Sequence, residues 1–221
     1  MKQGSIFASR IKKAFAKERG RAVDAEPPEP DEPVRRLCIG VLGARMGEDA
    51  ARTAVDRLLK KMIDWNEVRV SHAIEIQEAM GGSESSMGDG CQRLREALQD
   101  LYQRENRVSL DRLSNLGRRE ARQYLESLKG VDGYAVASVV LWSLGGHAIP
   151  VDDRLLATLR SANLVHPEAT RDEVQAFLER NISAADAKEF CRVMRKFSPA
   201  KAGVEKNKSA RSSKSGKKSA K

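Results

Sequence analysis

The sequence predicts an all-α fold, on three observations. Apolar residues recur at helical spacing in one segment after another. The alternation that marks a half-buried strand is almost absent. Helix-opening signals stand ahead of apolar runs: Thr170-x-x-Glu173 and Ser183-x-x-Asp186 have capping-box spacing, the second approximately, because aspartate reaches back less well than glutamate. About eight or nine helices are expected from these patterns.

Met1–Ala25 is a basic amphipathic stretch in which Ile6, Phe7, Ile11 and Phe15 interleave with Arg10, Lys12, Lys13 and Lys17. It reads as a frayed helix or disordered arm, as an arm touching DNA or a membrane, or as a targeting presequence; it lacks the apolar core of a secretory signal. Residues 26–33 (Glu-Pro-Pro-Glu-Pro-Asp-Glu-Pro) cannot form a helix, because proline removes donors and fixes φ; an extended acidic linker is expected. Arg35–Gly43 is apolar and looks buried. Glu48–Ile63 carries Ala51, Val55, Leu58, Leu59 and Met62 on one face. Trp65, Asn66 and Arg69 then form a polar–aromatic cluster read as a packed turn. Ser71–Met80 and Cys91–Tyr102 are amphipathic, with a Gly/Ser segment between them. Leu116–Leu128, Tyr134–Leu144 and Val151–Leu164 follow, and the two capped helices close the domain. The chain thus divides into an arm and linker at 1–32, a helical domain at 33–200, and a Lys/Ser-rich tail at 201–221 that cannot bury enough to fold.

The net charge of +9 is unevenly placed. The tail holds +7, with eight basic residues against Glu205; residues 1–32 hold +1 and the helical domain only +1. The basic character therefore belongs to the tail, which predicts salt-sensitive nucleic-acid binding. No apolar run approaches membrane-spanning length. Cys38, Cys91 and Cys191 show no Cys-x-x-Cys spacing; an odd count without a secretory signal favours buried free thiols in a reducing compartment, cytoplasmic or nuclear.

The most specific stretch is residues 128–154. A glycine turn, Leu128-Lys129-Gly130-Val131-Asp132-Gly133, joins two apolar helical runs, and Asp152 opens another helix eighteen residues after Tyr134. The turn, the spacing and the Gly-Gly-His-Ala-Ile-Pro-Val-Asp ending (145–152) resemble the helix-hairpin-helix (HhH-GPD) DNA glycosylases of the endonuclease III type, which carry a Leu-Pro-Gly-Val-Gly hairpin and a Val-Asp carboxylate. The resemblance covers about residues 33–198 and is loose before the hairpin. It implies a two-lobed helical domain with the carboxylate in the cleft between lobes.

It further implies that Lys129, Gly130, Val131 and Gly133 grip a DNA phosphate through backbone amides at a helix N-terminus. Asp132 stands where the family has its second glycine. Either Asp132 adopts the left-handed region or Gly133 takes the special conformation; in both cases a carboxylate near a phosphate weakens binding, with Lys129 offsetting part of the charge. Asp152 is implied as the carboxylate that stabilises an oxocarbenium-like sugar or deprotonates water; the bland reading is an ordinary helix cap. Tyr134 occupies the place of the lysine that forms a Schiff base in bifunctional members. A phenol cannot form that imine, so a monofunctional enzyme is implied; otherwise Tyr134 is a packed first-turn aromatic. Met46 falls in the region of a glutamine that fills the gap left by a flipped base, and reads as an apolar plug or as core. His147 reads as structural.

Many relatives hold an iron–sulfur cluster on four C-terminal cysteines, which one distal cysteine cannot supply, so no cofactor is expected. The readings that follow are a clusterless monofunctional base-excision glycosylase acting on double-stranded DNA as a monomer, an inactive DNA-binding relative that keeps the hairpin, and an RNA- or chromatin-associated helical adaptor.

Overall fold

A computed structural model describes residues 4–20, 32–82 and 87–197. Residues 26–31 of the acidic linker and the basic tail lie outside the described residues; the linker's last two residues, Glu32 and Pro33, instead open a helix. Among those described, the regular structure is helical: α1 (Gly4–Arg19), α2 (Pro33–Met46), α3 (Glu48–Lys61), α4 (Trp65–Val70), α5 (Ala73–Ala79), α6 (Met87–Glu105), α7 (Arg118–Glu126), α8 (Gly133–Trp142), α9 (Asp153–Ser161), α10 (Arg171–Asn181) and α11 (Ala184–Arg195), with a 3₁₀ turn at Asp111–Asn115.

The starts of these helices follow local chemistry. Glu32 caps α2 through the amides of Val34 and Arg35, with Pro33 at a position where its missing N–H is harmless. Thr170 and Glu173 close the expected reciprocal capping box on α10, and the Ser183 side chain caps α11 by accepting from Asp186 N. The expected packed turn at Trp65 is instead the short helix α4, opened by Asp64, whose carboxylate accepts from the amides of Asn66 and Glu67.

Helix α2 is the centre. It packs on α3, α6, α8 and α9, and the α2–α8 contact is the most extensive in the molecule. Small residues make this approach possible: a Cβ at Gly40 would come within 2.7 Å of the Ala135 Cα. Two groups of helices pack around this pair: α4 and α5 on α6, with α7 on α8, and α1 on α10 and α11, with α10 on α9 and α11 on α8. One apolar core runs through both groups.

The amino-terminal segment departs from the expectation of a separate arm. Phe7, Ile11 and Phe15 are buried on one face of α1, which docks on α10 and α11. Phe15 meets Phe190 edge-to-face at 5.3 Å, and Arg19 pairs with Asp186 and Glu189. Its apolar stripe therefore belongs to the core, and its basic residues face outward. Among the described residues, no helix is long and apolar enough to cross a membrane.

Candidate active site

The hairpin is resolved by Gly130. Its φ of +71° lies in the left-handed region, and a Cβ there would stand 2.3 Å from the backbone oxygen of Arg93. Neither alternative drawn from the sequence for Asp132 and Gly133 holds. Asp132 is extended, with φ −108° and ψ 172°, and caps α8 by accepting from Ala135 N at 3.0 Å. Gly133 is simply the first residue of α8. The other Asp132 oxygen faces Arg93 at 3.4 Å and Arg171 at 3.9 Å, so its charge is shared with two guanidiniums. Arg93 also donates to the Val41 carbonyl, tying the turn to α2. The Lys129 amide donates to Asp100, while its side chain is exposed. Among the described residues, the amides of Gly130, Asp132 and Gly133 have no partner. A turn of unpaired amides at a helix N-terminus suits an anion.

Past the hairpin, α8 turns inward. Tyr134 is 4% exposed, and its ring lies against α2 where Gly43 leaves room: a Cβ at Gly43 would meet the Tyr134 Cε1 at 3.0 Å. The Tyr134 hydroxyl donates to Glu48 at 3.1 Å. Burial raises the phenol well above its usual range, and the charges of Glu48 and Asp152 push it further in the same direction. It is a neutral donor at any ordinary pH.

Glu48 follows Gly47, whose φ of +83° breaks the chain between α2 and α3. It is buried in full, as is Arg36, and the two form a bidentate ion pair with a 2.7 Å contact between Nη2 and Oε2. Arg52 donates to Glu48 at 3.3 Å, and Arg195 stands 3.8 Å away. Burial pushes the Glu48 carboxyl up, but the charge and hydrogen bonds of Arg36, with Arg195 and Arg52, outweigh it and hold the group below the usual carboxylate range. Arg36 also reaches Ser138 at 3.3 Å and lies over the Trp142 ring.

Asp152 caps α9, accepting from Leu155 N through Oδ1 at 2.6 Å. Burial raises its carboxyl, against the lowering effects of that hydrogen bond and of Arg195 and Arg154. Asp153, its neighbour, is exposed and paired with Arg171 at 2.6 Å. The two acids are thus separated in role by one residue of register.

Glu48, Tyr134, Asp152 and Arg195 share one cavity of about 280 Å³. Its walls come from the α2–α3 junction (Met46, Glu48), from Tyr134, from Pro150, Asp152, Arg154 and Leu155, and from Cys191, Met194 and Arg195 of α11. The cavity brings together Asp152, Tyr134 and Met46 of the residues singled out in the sequence. Met46 is half-buried, touching both core and cavity, so the two readings of it meet at one position. The hairpin residues lie outside the cavity lining, on the preceding turn. His147 meets the Ile182 carbonyl at 3.0 Å, in keeping with a structural role.

Sequence reasoning missed Glu48, Arg36, Arg195 and Cys191. One signal was available: Arg36 sits in an otherwise apolar run, and a buried arginine requires an acidic partner. Burial raises the Cys191 thiol to about 12, which leaves it an unreactive wall. A four-thiolate cluster does not fit the donor set: Cys38, Cys91 and Cys191 are three thiols on three helices. Among the described residues, no group of His, Cys, Asp and Glu is placed to hold a metal ion.

No family model and no curated protein matches the sequence. Solved structures do. The chain is similar to an endonuclease III in a non-covalent complex with DNA, at 17% identity and a TM-score of 0.66, over 85% of this chain and 84% of that one. It is similar to a thermostable thymine-DNA glycosylase at 16% identity and a TM-score of 0.57, over 87% and 84%. A 3-methyladenine DNA glycosylase from H. pylori, bound to 1,N6-ethenoadenine, matches at 14% identity and a TM-score of 0.59, over 86% and 94%. The fold is that of the endonuclease III-like helix-hairpin-helix glycosylases.

Proposed function

We propose that this chain, built on the endonuclease III glycosylase fold, is a monofunctional DNA glycosylase of base excision repair. The observation that carries the reading is the cavity. A carboxylate with a raised pKa, Asp152, stands at its wall with Tyr134, which by the sequence resemblance takes the position of the lysine used in lyase chemistry. Among the described residues, none that lines the cavity is lysine.

A base within a duplex is shielded, so the nucleotide must be swung out of the stack. The hairpin amides would hold a phosphate beside the extruded nucleotide, while the cavity encloses the base. As the C1′–N bond breaks, its electron pair leaves with the base and positive charge develops on the sugar. Asp152 lies where it can stabilise that charge and accept the proton of the water that attacks C1′. The Oδ1 hydrogen bond from Leu155 fixes the carboxylate, leaving Oδ2 for this work. Tyr134 and Glu48 shape the wall; neither supplies a nucleophile, because the phenol stays protonated and the carboxylate is occupied by Arg36.

This reading needs no iron–sulfur cluster. It assigns double-stranded DNA as partner and adds the basic tail as a second, sequence-independent contact; deleting residues 203–221 is expected to weaken binding and flatten its salt dependence. The direct test is incubation with duplexes that each carry one lesion or mismatch, analysed with and without hot alkali. Base release with strand breaks only after alkali is expected. Breaks without alkali, together with a borohydride-trapped adduct, would refute the monofunctional assignment.

A further inference from the structure

The cavity contains three carboxylates and three guanidiniums, and most of them are committed. Glu48 receives Arg36 through both oxygens, Arg52 on Oε1 and the Tyr134 hydroxyl on Oε2, which fills its acceptor capacity. The Tyr134 proton is spent on that bond. Arg45, at the mouth, pairs with Asp89 at 2.9 Å. Arg154 is exposed at the start of α9.

Arg195 is the less exposed of the two cavity arginines without a short ion pair. It projects from the last turn of α11, and its contacts are long: 3.4 Å to the exposed Asp49 and 3.8 Å to a Glu48 whose charge Arg36 already meets. Both lie at or beyond the outer limit of a charge-assisted hydrogen bond. Its side chain is 29% exposed. One N–H is directed to Asp49, and the remaining donors stand at the wall of a cavity with room for a single heterocycle.

We propose that Arg195 is the specificity-determining donor of this cavity, selecting an extruded base that presents a carbonyl oxygen. The inference rests on the base-excision reading and adds the substrate class to it. Two physical effects act in the same direction. A guanidinium facing a carbonyl replaces weak contacts with charge-assisted ones, whereas facing a cationic alkylated base it repels. When the C1′–N bond breaks, the electron pair that leaves with the base delocalises onto a carbonyl oxygen, and Arg195 stabilises that developing charge. A base without a carbonyl gains neither effect.

The experiment uses the full chain, with Arg195→Gln and Arg195→Lys beside it. Single-turnover release is measured from duplexes that carry uracil, which has carbonyl edges, and from duplexes with 3-methyladenine or 1,N6-ethenoadenine, which have none. Uracil release is expected to dominate, to fall roughly 10- to 100-fold in Arg195→Gln, and to recover in part in Arg195→Lys. Release from the other two should fall by less, because Arg195 also favours the ionised form of Asp152 that every substrate needs. An equal fall on all three, or a wild-type preference for the cationic base, would overturn the proposal.

Binding separates this outcome from failure of the glycosylase reading. Duplexes with the 2′-fluoro, uncleavable forms of uracil and ethenoadenine report pocket preference without chemistry. Wild type should favour the uracil duplex, and Arg195→Gln should lose the preference. If no base is released anywhere yet this preference is present, the enzymatic reading fails and the Arg195 assignment stands. Equal binding of both duplexes by wild type contradicts the assignment. Unchanged thermal melting of the Arg195 variants is the control for folding.

Discussion

Tyr134 donates its hydroxyl hydrogen to Glu48 at 3.1 Å, across 86 residues of sequence, and thereby joins the first turn of α8 to the first turn of α3. The bond adds a neutral donor to a carboxylate already neutralised by Arg36. Its two ends are therefore unequal. Tyr134→Phe removes one hydrogen bond and is expected to cost about 0.5–1.5 kcal/mol. Glu48→Gln leaves a buried guanidinium without its counter-charge and is expected to cost about 3–5 kcal/mol. Denaturant titration of both variants checks this; equal costs would show that the ion pair is not what holds the junction.

The same pair sets an acid limit. The Glu48 carboxyl lies below its usual range in the folded protein, so its stabilisation is complete above the unfolded value of about 4.3 and is lost as pH falls through the folded one. Melting temperature measured downward from neutral pH should fall in wild type and less steeply in Glu48→Gln. Parallel curves would contradict the assignment.

Gly130 and Gly133 look alike in the sequence and differ in the fold. Gly130→Ala meets both a positive φ and the Arg93 carbonyl, and should cost about 2 kcal/mol or more. Gly133→Ala sits in a helical first turn with an ordinary 3.6 Å contact to Asp172, and stability should hold. It adds a methyl group at the exposed end of the hairpin, so DNA affinity should fall even so. Loss of stability in Gly133→Ala, or none in Gly130→Ala, would reverse the roles given to the two glycines.

Asp132 has two opposed effects, a cap that stabilises α8 and a charge beside the unpaired amides. Asp132→Asn keeps the cap and removes the charge; Asp132→Ala removes both and should cost about 1 kcal/mol. Duplex affinity should rise in Asp132→Asn at unchanged stability. No rise would mean that Arg93 and Arg171 already cancel the charge.

The hairpin and the cap of α9 were legible in the sequence because both are local: glycine, aspartate and their spacing encode a turn and a helix start within a few residues. Glu48, Arg36 and Arg195 were not, because their meaning lies in contacts made across 12 and more residues. Asp132 was misread for a related reason. The pattern placed a special conformation at 132 or 133, while the close approach of the Arg93 backbone, which the sequence does not display, places it at Gly130. At the amino terminus, Phe7, Ile11 and Phe15 were visible as a stripe; only the presence of α10 and α11 decides that the stripe is buried.

The pH dependence of activity follows from the carboxylate at the cavity wall. Asp152 must be ionised to accept a proton, and burial raises its pKa. Base release should therefore rise with pH through a value above the ordinary aspartate range. Linkage has the opposite sign: a raised carboxyl contributes stability below its unfolded pKa and loses it as pH rises through the folded one. Asp152→Asn, which can still cap α9, should leave neutral-pH stability unchanged or higher. A flat pH–rate profile, or a destabilised Asp152→Asn, would count against this assignment.

The account stands most directly on single-turnover base release by Asp152→Asn beside Asp153→Asn, on whichever lesion duplex the wild type processes. Release should disappear in Asp152→Asn, with duplex binding intact, and persist in Asp153→Asn. Release that survives in Asp152→Asn would contradict the central claim.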